Sequence, residues 1–251
     1  MDGFLLDMDG VVYRGGAPIA SGLRFLARLK RRRMPFLLLT NHSCLTPRGF
    51  SEKLSRMGVE IPAAQIYSSS DATAEWLKAR KVRSVFAIGE EGLRAALRRN
   101  QIRSSHGAAG HVVVGLDRRI DYGRLLRACR LILAGAKFIG TNPDPTYPLE
   151  DGPAPECGTY LAAIQCATGQ APTIIGKPSR VIYQQAARRL GLPLHRVTMI
   201  GDRLDTDILG ARNAGARSVL VLTGQTTRAM AARSPIRPGR IVRTLDELGL
   251  T

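Results

Sequence analysis

The sequence lacks long apolar runs, paired cysteines and a secretory leader pattern. No apolar stretch approaches the roughly 18 residues that a transmembrane helix needs, and Asp2 stands where a leader would carry basic residues. The four cysteines form no CxxC pair and have no histidine partner at zinc-like spacing, so we expect free thiols. We therefore expect a soluble, cytoplasmic protein without a membrane partner.

Acidic and aromatic residues are also scarce. The 251 residues include 37 Lys and Arg against 20 Asp and Glu, which gives a net charge of +17. Such a surplus can indicate nucleic-acid binding. However, aromatic residues make up only 5% of the chain and do not interleave with the basic pairs as a stacking surface would require. We expect no dedicated nucleic-acid partner and favour an anionic small substrate, although a non-catalytic nucleic-acid-binding protein remains an open alternative.

Short apolar runs alternate with helical patterns along the chain, which predicts an α/β fold with a mainly parallel sheet. One helical pattern contains Leu23, Leu26 and Leu29, and another contains Ile182 and ends at Gly191. Segment 141–156 holds five prolines and is predicted to be a loop. The predicted strands are 4–8, 36–40, 66–69, 85–88, 111–114, 138–140, 173–175, 197–200 and 219–222.

Polar side chains at the ends of these strands are candidates for ligand binding, because ligands of parallel sheets bind beyond the carboxyl ends of the strands. Asp7 and Asp9 follow the first strand, and strand alternation would point them the same way. Two such carboxylates would repel each other unless a hard cation such as Mg²⁺ lay between them. A solvent-facing turn is the alternative explanation of this stretch.

Three further strand ends carry polar groups. Thr40 and Asn41 could bind an anion or simply cap a helix. Lys177 precedes a helix that begins at Pro178 and Ser179, and it is either a phosphate ligand or an ordinary surface lysine. Asp202 follows the strand 197–200 after Gly201 and precedes the next helix by several residues, so helix capping does not explain it, and we predict a metal ligand there.

The order DxDG, TN, K and GDxxxTD of these strand ends resembles that of the haloacid-dehalogenase-like phosphohydrolases. Only 33 positions separate Asp7 from Thr40, but 137 separate Thr40 from Lys177, which leaves room for an inserted domain. The chain is similar to the group that includes NagD-like nucleotidases, 4-nitrophenylphosphatases and phosphoglycolate phosphatases. The resemblance implies a Rossmann-like parallel-sheet core at 1–73 and 177–251 and an α/β cap domain of the C2 type at 74–176.

The resemblance also implies roles for individual residues. Asp7 would be the nucleophile, and Asp9 would be the general acid and then the general base. Asp7, Asp202 and the backbone carbonyl of Asp9 would bind Mg²⁺, with Asp207 supporting Lys177 or the metal's water shell. The expected substrate-binding residues are Thr40, Asn41, Lys177, Arg203, Leu204, Asp205 and Thr206 in the core and Asn142, Asp144 and Tyr147 in the cap.

Together these features predict a Mg²⁺-dependent phosphatase that acts on a small phosphomonoester through an aspartyl phosphate. The candidate substrates are a nucleoside monophosphate, a sugar phosphate, phosphoglycolate and an aryl phosphate. A phosphotransferase or phosphomutase of the same fold is an alternative. The resemblance leaves open a homodimer formed through the cap domain, and the role of segment 141–156 as a simple structural linker stays open as well.

Overall fold

The computed structural model describes residues 2–105, 107–149 and 152–249. Its strands are β1 Gly3–Leu6, β2 Tyr13–Arg14, β3 Ala17–Pro18, β4 Phe36–Thr40, β5 Ile66–Ser68, β6 Ser84–Ile88, β7 Arg103–Ser104, β8 His111–Val114, β9 Lys137–Gly140, β10 Thr146–Leu149, β11 Gly152–Pro155, β12 Thr173–Ile174, β13 Val197–Gly201, β14 Arg217–Val221 and β15 Arg240–Val242. Its α-helices are α1 Ala20–Arg31, α2 Pro47–Arg56, α3 Ser69–Ala79, α4 Glu91–Arg99, α5 Tyr122–Leu133, α6 Cys157–Thr168, α7 Arg180–Leu190, α8 Leu209–Ala214 and α9 Arg228–Arg233.

The chain divides into two compact units. The first contains the residues up to Thr40, Phe50–Tyr67 and the residues from Lys177 onward. The second contains Asn41–Gly49 and Ser68–Gly176. The assignment of a catalytic core and a cap to 1–73 with 177–251 and to 74–176 stays a prediction, because spatial contacts alone do not assign a role to either unit.

The sheet of the first unit has the strand order β15-β14-β13-β1-β4-β5. The pairs from β15 to β4 are parallel. The strands β1, β4 and β13 are almost entirely buried, because helices of βαβ units cover both faces of such a sheet. Since β13, β1 and β4 are neighbours, the residues that follow them emerge side by side at one edge.

The second unit has its own parallel sheet, in the order β12-β9-β8-β6-β7. Its core combines buried residues of β6, β8, β9 and α6, such as Phe86, Val114, Phe138 and Leu161. Both sheets confirm the predicted α/β class. Among the helices of the described residues, none combines the length and apolarity that crossing a membrane requires.

The prediction that segment 141–156 is a loop throughout is wrong in part. β10 and β11 form an antiparallel ribbon in which Pro148 lies opposite Pro153. A two-stranded ribbon tolerates proline because each strand has only one paired side. Glu150 and Asp151, which also belong to the predicted loop, lie outside the described residues.

Local sequence signals account for the helix ends next to the strand ends of interest. Ser179 caps α7 by accepting the backbone N–H of Val181, and Gly191 ends the helix in the left-handed conformation, as predicted. Gly215 ends α8 in the same way. The cysteines Cys44, Cys129, Cys157 and Cys166 are free thiols, which confirms the prediction made from their spacing.

Candidate active site

Lys177 is the centre of a buried acidic cluster in the first unit. Its Nζ donates to Asp7 Oδ1 at 2.8 Å and to Asp207 Oδ1 at 2.7 Å. Burial opposes the positive charge, but the Asp207 and Asp7 carboxylates outweigh burial and hold the pKa of Lys177 above its usual value. Lys177 therefore remains charged and joins two acids that are 200 positions apart in the sequence.

Asp202 completes this cluster. Carboxylate oxygens of Asp7, Asp202 and Asp207 all lie within 4.8 Å of one another. Burial raises the pKa of Asp202 to about 8, and the nearby charges of Asp7 and Asp207 add to the rise. Burial also raises the pKa of Asp207 to about 6, although the Lys177 ammonium opposes this. Burial is therefore the main cause of both shifts, and the neighbouring carboxylates add to it.

Two glycines make room for the Asp202 carboxylate. A Cβ atom on Gly10 or on Gly224 would overlap the Asp202 side chain. Gly10 also has a φ of +74°, which favours glycine over other residues. The backbone N–H of Gln225 donates to Asp202 Oδ2 at 2.6 Å, and this bond fixes the carboxylate against the loop after β14.

The donor chemistry of this cluster fits a hard divalent cation. Carboxylate oxygens are the ligands that Mg²⁺ takes up in proteins, and Asp7 and Asp202 both present them. Both carboxylate oxygens of Asp207 already accept hydrogen bonds, Oδ1 from Lys177 Nζ and Oδ2 from the backbone N–H of Arg203 at 3.1 Å. Asp7 and Asp202 are therefore the better direct ligands, and Asp207 is the better supporting group.

A π-helical turn at Leu204–Ile208 positions Asp207. The Tyr183 hydroxyl lies 3.1 Å from the carbonyl oxygens of both Thr206 and Asp207 and can donate to either. Arg203 binds the exposed Asp205 carboxylate, with the closer nitrogen at 2.7 Å. In the same turn Thr206 is buried, and Leu204 packs against the apolar cluster of Ile208, Leu220 and Ala231.

Asp9 does not join the cluster of Asp7, Asp202 and Asp207. β1 ends at Leu6, so the alternation of strand side chains does not apply to Asp7 and Asp9. Asp9 instead forms a backbone bridge with Tyr13, whose ring lies 4.2 Å from Lys53 Nζ. Burial raises the pKa of Asp9, and the Lys53 charge opposes the rise. A partly buried carboxyl with a raised pKa suits an acid that donates protons.

Thr40 is buried at the carboxyl end of β4 in the first unit, next to β1. Asn41 belongs to the second unit, where its Nδ2 donates to Asp144 Oδ2 at 2.9 Å. The Thr40–Asn41 pair predicted from the sequence therefore spans the division between the two units.

Asn142 organises a second polar network, which lies within the second unit. Its Nδ2 donates to the Asn41 carbonyl at 2.9 Å and to Glu156 Oε1 at 3.4 Å, and its Oδ1 accepts the backbone N–H of Asp144 at 3.0 Å. The Tyr147 ring lies edge-on to the His42 ring, with centroids 6.4 Å apart. The structure thus brings Asn41, Asn142 and Asp144 together.

Three residues of these networks were missed by the sequence analysis. Glu156 is buried beside Asn142 and was read as the end of a loop. Tyr183 looks like any apolar residue of an amphipathic helix, since nothing in the sequence shows its hydroxyl contacts. Gln225 acts through its backbone N–H, so its side-chain type carries no signal in the sequence.

Comparison with known proteins decides the family. The haloacid dehalogenase-like hydrolase model matches residues 4–103, and a HAD-hydrolase-like model matches residues 174–248. The chain is 37% identical to the 5'-nucleotidase YutF of Bacillus subtilis, over 98% of this chain and 96% of that protein. The chain belongs to the haloacid dehalogenase-like hydrolases.

Solved structures of this hydrolase family agree over nearly the whole chain. The 4-nitrophenylphosphatase of Thermotoga maritima is 34% identical with a TM-score of 0.94, and the alignment covers 98% of this chain and 95% of that one. NagD from E. coli is 28% identical with a TM-score of 0.94, over 99% and 98% of the two chains. These findings confirm the NagD-like group of haloacid dehalogenase-like hydrolases and identify this member as a phosphoric monoester hydrolase.

Proposed function

We propose that this hydrolase is a Mg²⁺-dependent phosphatase for a small phosphomonoester. The candidate substrates are a nucleoside monophosphate, a sugar phosphate, phosphoglycolate and an aryl phosphate. The observation that carries the proposal is the buried cluster of Asp7, Asp202 and Asp207 around Lys177. It combines a nucleophile, a cation site and a fixed positive charge at one edge of the sheet.

Asp7 is the proposed nucleophile. One of its carboxylate oxygens forms a bond to phosphorus while the bond from phosphorus to the substrate oxygen breaks, which gives an aspartyl phosphate. Asp9 donates its proton to the leaving oxygen. A water molecule then attacks phosphorus, its proton returns to Asp9, and the bond from Asp7 to phosphorus breaks, so that orthophosphate leaves and both carboxyl groups are restored.

Positive and polar groups bind the phosphoryl oxygens in this proposal. Lys177 supplies a fixed ammonium that is already oriented by Asp7 and Asp207, so little reorganisation is needed in the transition state. Thr40 and Asn41 are the other proposed ligands of these oxygens, and the turn of Arg203, Leu204, Asp205 and Thr206 borders the site. A bound Mg²⁺ would neutralise charge on the phosphoryl group and on Asp7.

Substrate choice is assigned to the second unit, which we propose to be the cap. Asn142, Asp144 and Tyr147 are the candidates, and their support is the network around Asn142 described above. A cap that closes over the substrate would exclude water from the reacting groups.

The proposal is tested by phosphate release from a panel of phosphomonoesters with Mg²⁺, with EDTA and with the Asp7→Asn variant. Asp246→Asn is the matched control, because Asp246 is an aspartate of the same unit that forms an exposed ion pair with Arg24. We expect turnover that requires metal, falls by a factor of about 10⁴ or more in Asp7→Asn and is unchanged in Asp246→Asn. The ranking of the panel identifies the substrate class.

Two outcomes would contradict the proposal. Full turnover by Asp7→Asn would exclude Asp7 as the nucleophile. Transfer of phosphate to an acceptor alcohol with little release of orthophosphate would indicate a phosphotransferase or phosphomutase instead of a hydrolase.

A further inference from the structure

A basic cavity lies in the first unit at the opposite edge of the sheet from the acidic cluster. Its volume is about 410 Å³, within the range of small-molecule sites. It is lined by the starts of β13, β14 and β15, at Thr198, Arg217 and Arg240. The five residues of β14 span about 16 Å, so the cavity is separate from the proposed catalytic edge.

The described residues that line this cavity include four arginines and no acidic residue. The arginines are Arg212 at the end of α8, Arg217 and Arg240 at the starts of β14 and β15, and Arg237 in the connection between α9 and β15. The topology thus concentrates at one place a part of the positive charge that seemed evenly spread in the sequence. The helix C-terminus of α8 favours a cation and accounts for Arg212 alone.

These guanidinium groups are largely uncompensated. Among the described residues, the Arg212 guanidinium forms no hydrogen bond or ion pair, and Arg237 and Arg240 donate to the backbone carbonyls of Ala232 and Glu247 at 3.3 and 3.0 Å. Arg217 forms an ion pair with Asp2 at 2.8 Å, which Arg196 shares at 3.5 Å, and Arg240 interacts electrostatically with the Glu247 carboxylate. Four positive charges therefore face two carboxylates.

We propose that this cavity, defined by Arg212, Arg217, Arg237 and Arg240, binds a small molecule that carries two or more phosphate groups. Guanidinium groups bind phosphate oxygens through two parallel hydrogen bonds, and several converging groups favour a multiply charged ligand over orthophosphate. Ser218 also lines the cavity, and its Oγ accepts the backbone N–H of Gly239 at 3.0 Å. The cavity is open to solvent, and its volume fits a small polyphosphate.

The experiment measures binding of inorganic tripolyphosphate to the full chain by calorimetry, with EDTA and at near-physiological salt. The cavity variant carries Arg212→Gln, Arg237→Gln and Arg240→Gln. The control variant carries Arg31→Gln, Arg56→Gln and Arg188→Gln, which remove the same charge from exposed positions of the same unit outside the cavity. A third variant, Arg212→Gln alone, breaks no contact among the described residues and guards against a folding defect.

We expect the native chain to bind tripolyphosphate at one site. The cavity variant should bind about 100-fold more weakly and Arg212→Gln about tenfold more weakly. The control variant should stay within about twofold, because screened surface charges contribute little. Phosphatase activity without tripolyphosphate should be unchanged in all three variants.

Three results would overturn the proposal. Equal losses in the cavity and control variants would indicate a diffuse surface potential. Undiminished binding by the cavity variant would place tripolyphosphate elsewhere, for example at Lys177. Tighter binding of a short single-stranded oligonucleotide, weakened by both sets of substitutions, would indicate a nucleic-acid surface instead.

Discussion

Replacing Glu156 with glutamine should stabilise the second unit at alkaline pH. Glu156 is 3% exposed, and its Oε2 has no hydrogen-bond partner among the described residues. Burial raises its pKa to about 7, and the neighbouring Asp144 charge adds to the rise. The unfolded chain ionises this group near its ordinary value of 4.5, so the folded state binds the extra proton between these two values.

The sign of the pH dependence follows from this difference. The folded pKa is raised, so stability falls as the pH increases from about 4.5 to about 7 and stays reduced above that. The shift corresponds to an upper limit of about 3 kcal/mol at pH 8 and to less than about 1 kcal/mol at pH 5. Glutamine removes the charge while it keeps an oxygen that can accept from Asn142, so it should relieve most of this penalty.

Urea unfolding followed by tryptophan fluorescence tests the prediction. Trp76 is the single tryptophan of the chain and lies in α3 of the second unit, so its signal reports on the unit that contains Glu156. We expect the unfolding free energy of Glu156→Gln to exceed that of the native chain at pH 8 by up to about 3 kcal/mol, and by much less at pH 5.

Glu90→Gln is the matched control, and its effect on the unfolding free energy should have the opposite sign. Hydrogen bonds from Arg118 lower the pKa of Glu90 to about 2, so its stabilising contribution is present above its unfolded pKa and is lost only as the pH falls toward 2. Glu90→Gln should therefore destabilise the same unit at both pH 5 and pH 8. A gain from Glu156→Gln that is equal at the two pH values, or a loss at pH 8, would refute the reasoning.

Two further predictions concern the first unit. Lys177→Met should lower the unfolding free energy by about 3–5 kcal/mol at neutral pH, because it leaves the buried Asp7 and Asp207 carboxylates without their cation. Thermal unfolding measures this loss. A loss below about 1 kcal/mol would contradict a buried charge pair. Gly224→Ala should weaken Mg²⁺ binding, because the new methyl group displaces the Asp202 carboxylate. Calorimetric titration with Mg²⁺ measures the affinity, and Gly249→Ala is the control because the space around Gly249 is open. Equal Mg²⁺ affinity in both variants would exclude the close approach of Gly224 to Asp202.

The sequence was informative where a local pattern has one physical solution. Phe36–Thr40 and His111–Val114 are predicted to the residue, because mainly apolar runs of four or five residues between turn signals favour buried strands and are too short for a helix. The ribbon of β10 and β11 was not predicted, because proline argues against a strand only where both sides of the strand are paired. Short strands that depend on one partner leave little trace in the sequence.

The residues of the candidate active site could also be predicted from the sequence only in part. The sequence identified Asp7, Lys177 and Asp202 because each ends a strand or begins a helix with a side chain that a plain turn does not need. It could not show that Asp207 shares Lys177 with Asp7 while Asp9 lies apart, because that depends on where β1 ends and on a π-helical turn. Contacts made by backbone groups, such as the N–H of Gln225, are independent of side-chain identity and stay invisible until the fold is known.

The charge distribution of the first unit connects its two edges. At the carboxyl ends of the strands, the carboxylates of Asp7, Asp202 and Asp207 face one ammonium, and burial together with the charges of Asp7 and Asp207 raises the pKa of Asp202. At the amino ends of strands of the same sheet, four guanidinium groups face the carboxylates of Asp2 and Glu247. A divalent cation at the first edge and a polyphosphate at the second would each reduce an imbalance that burial or crowding makes unfavourable. A part of the positive surplus therefore has a specific location in the fold, and this part lies away from the acids that we propose carry out the chemistry.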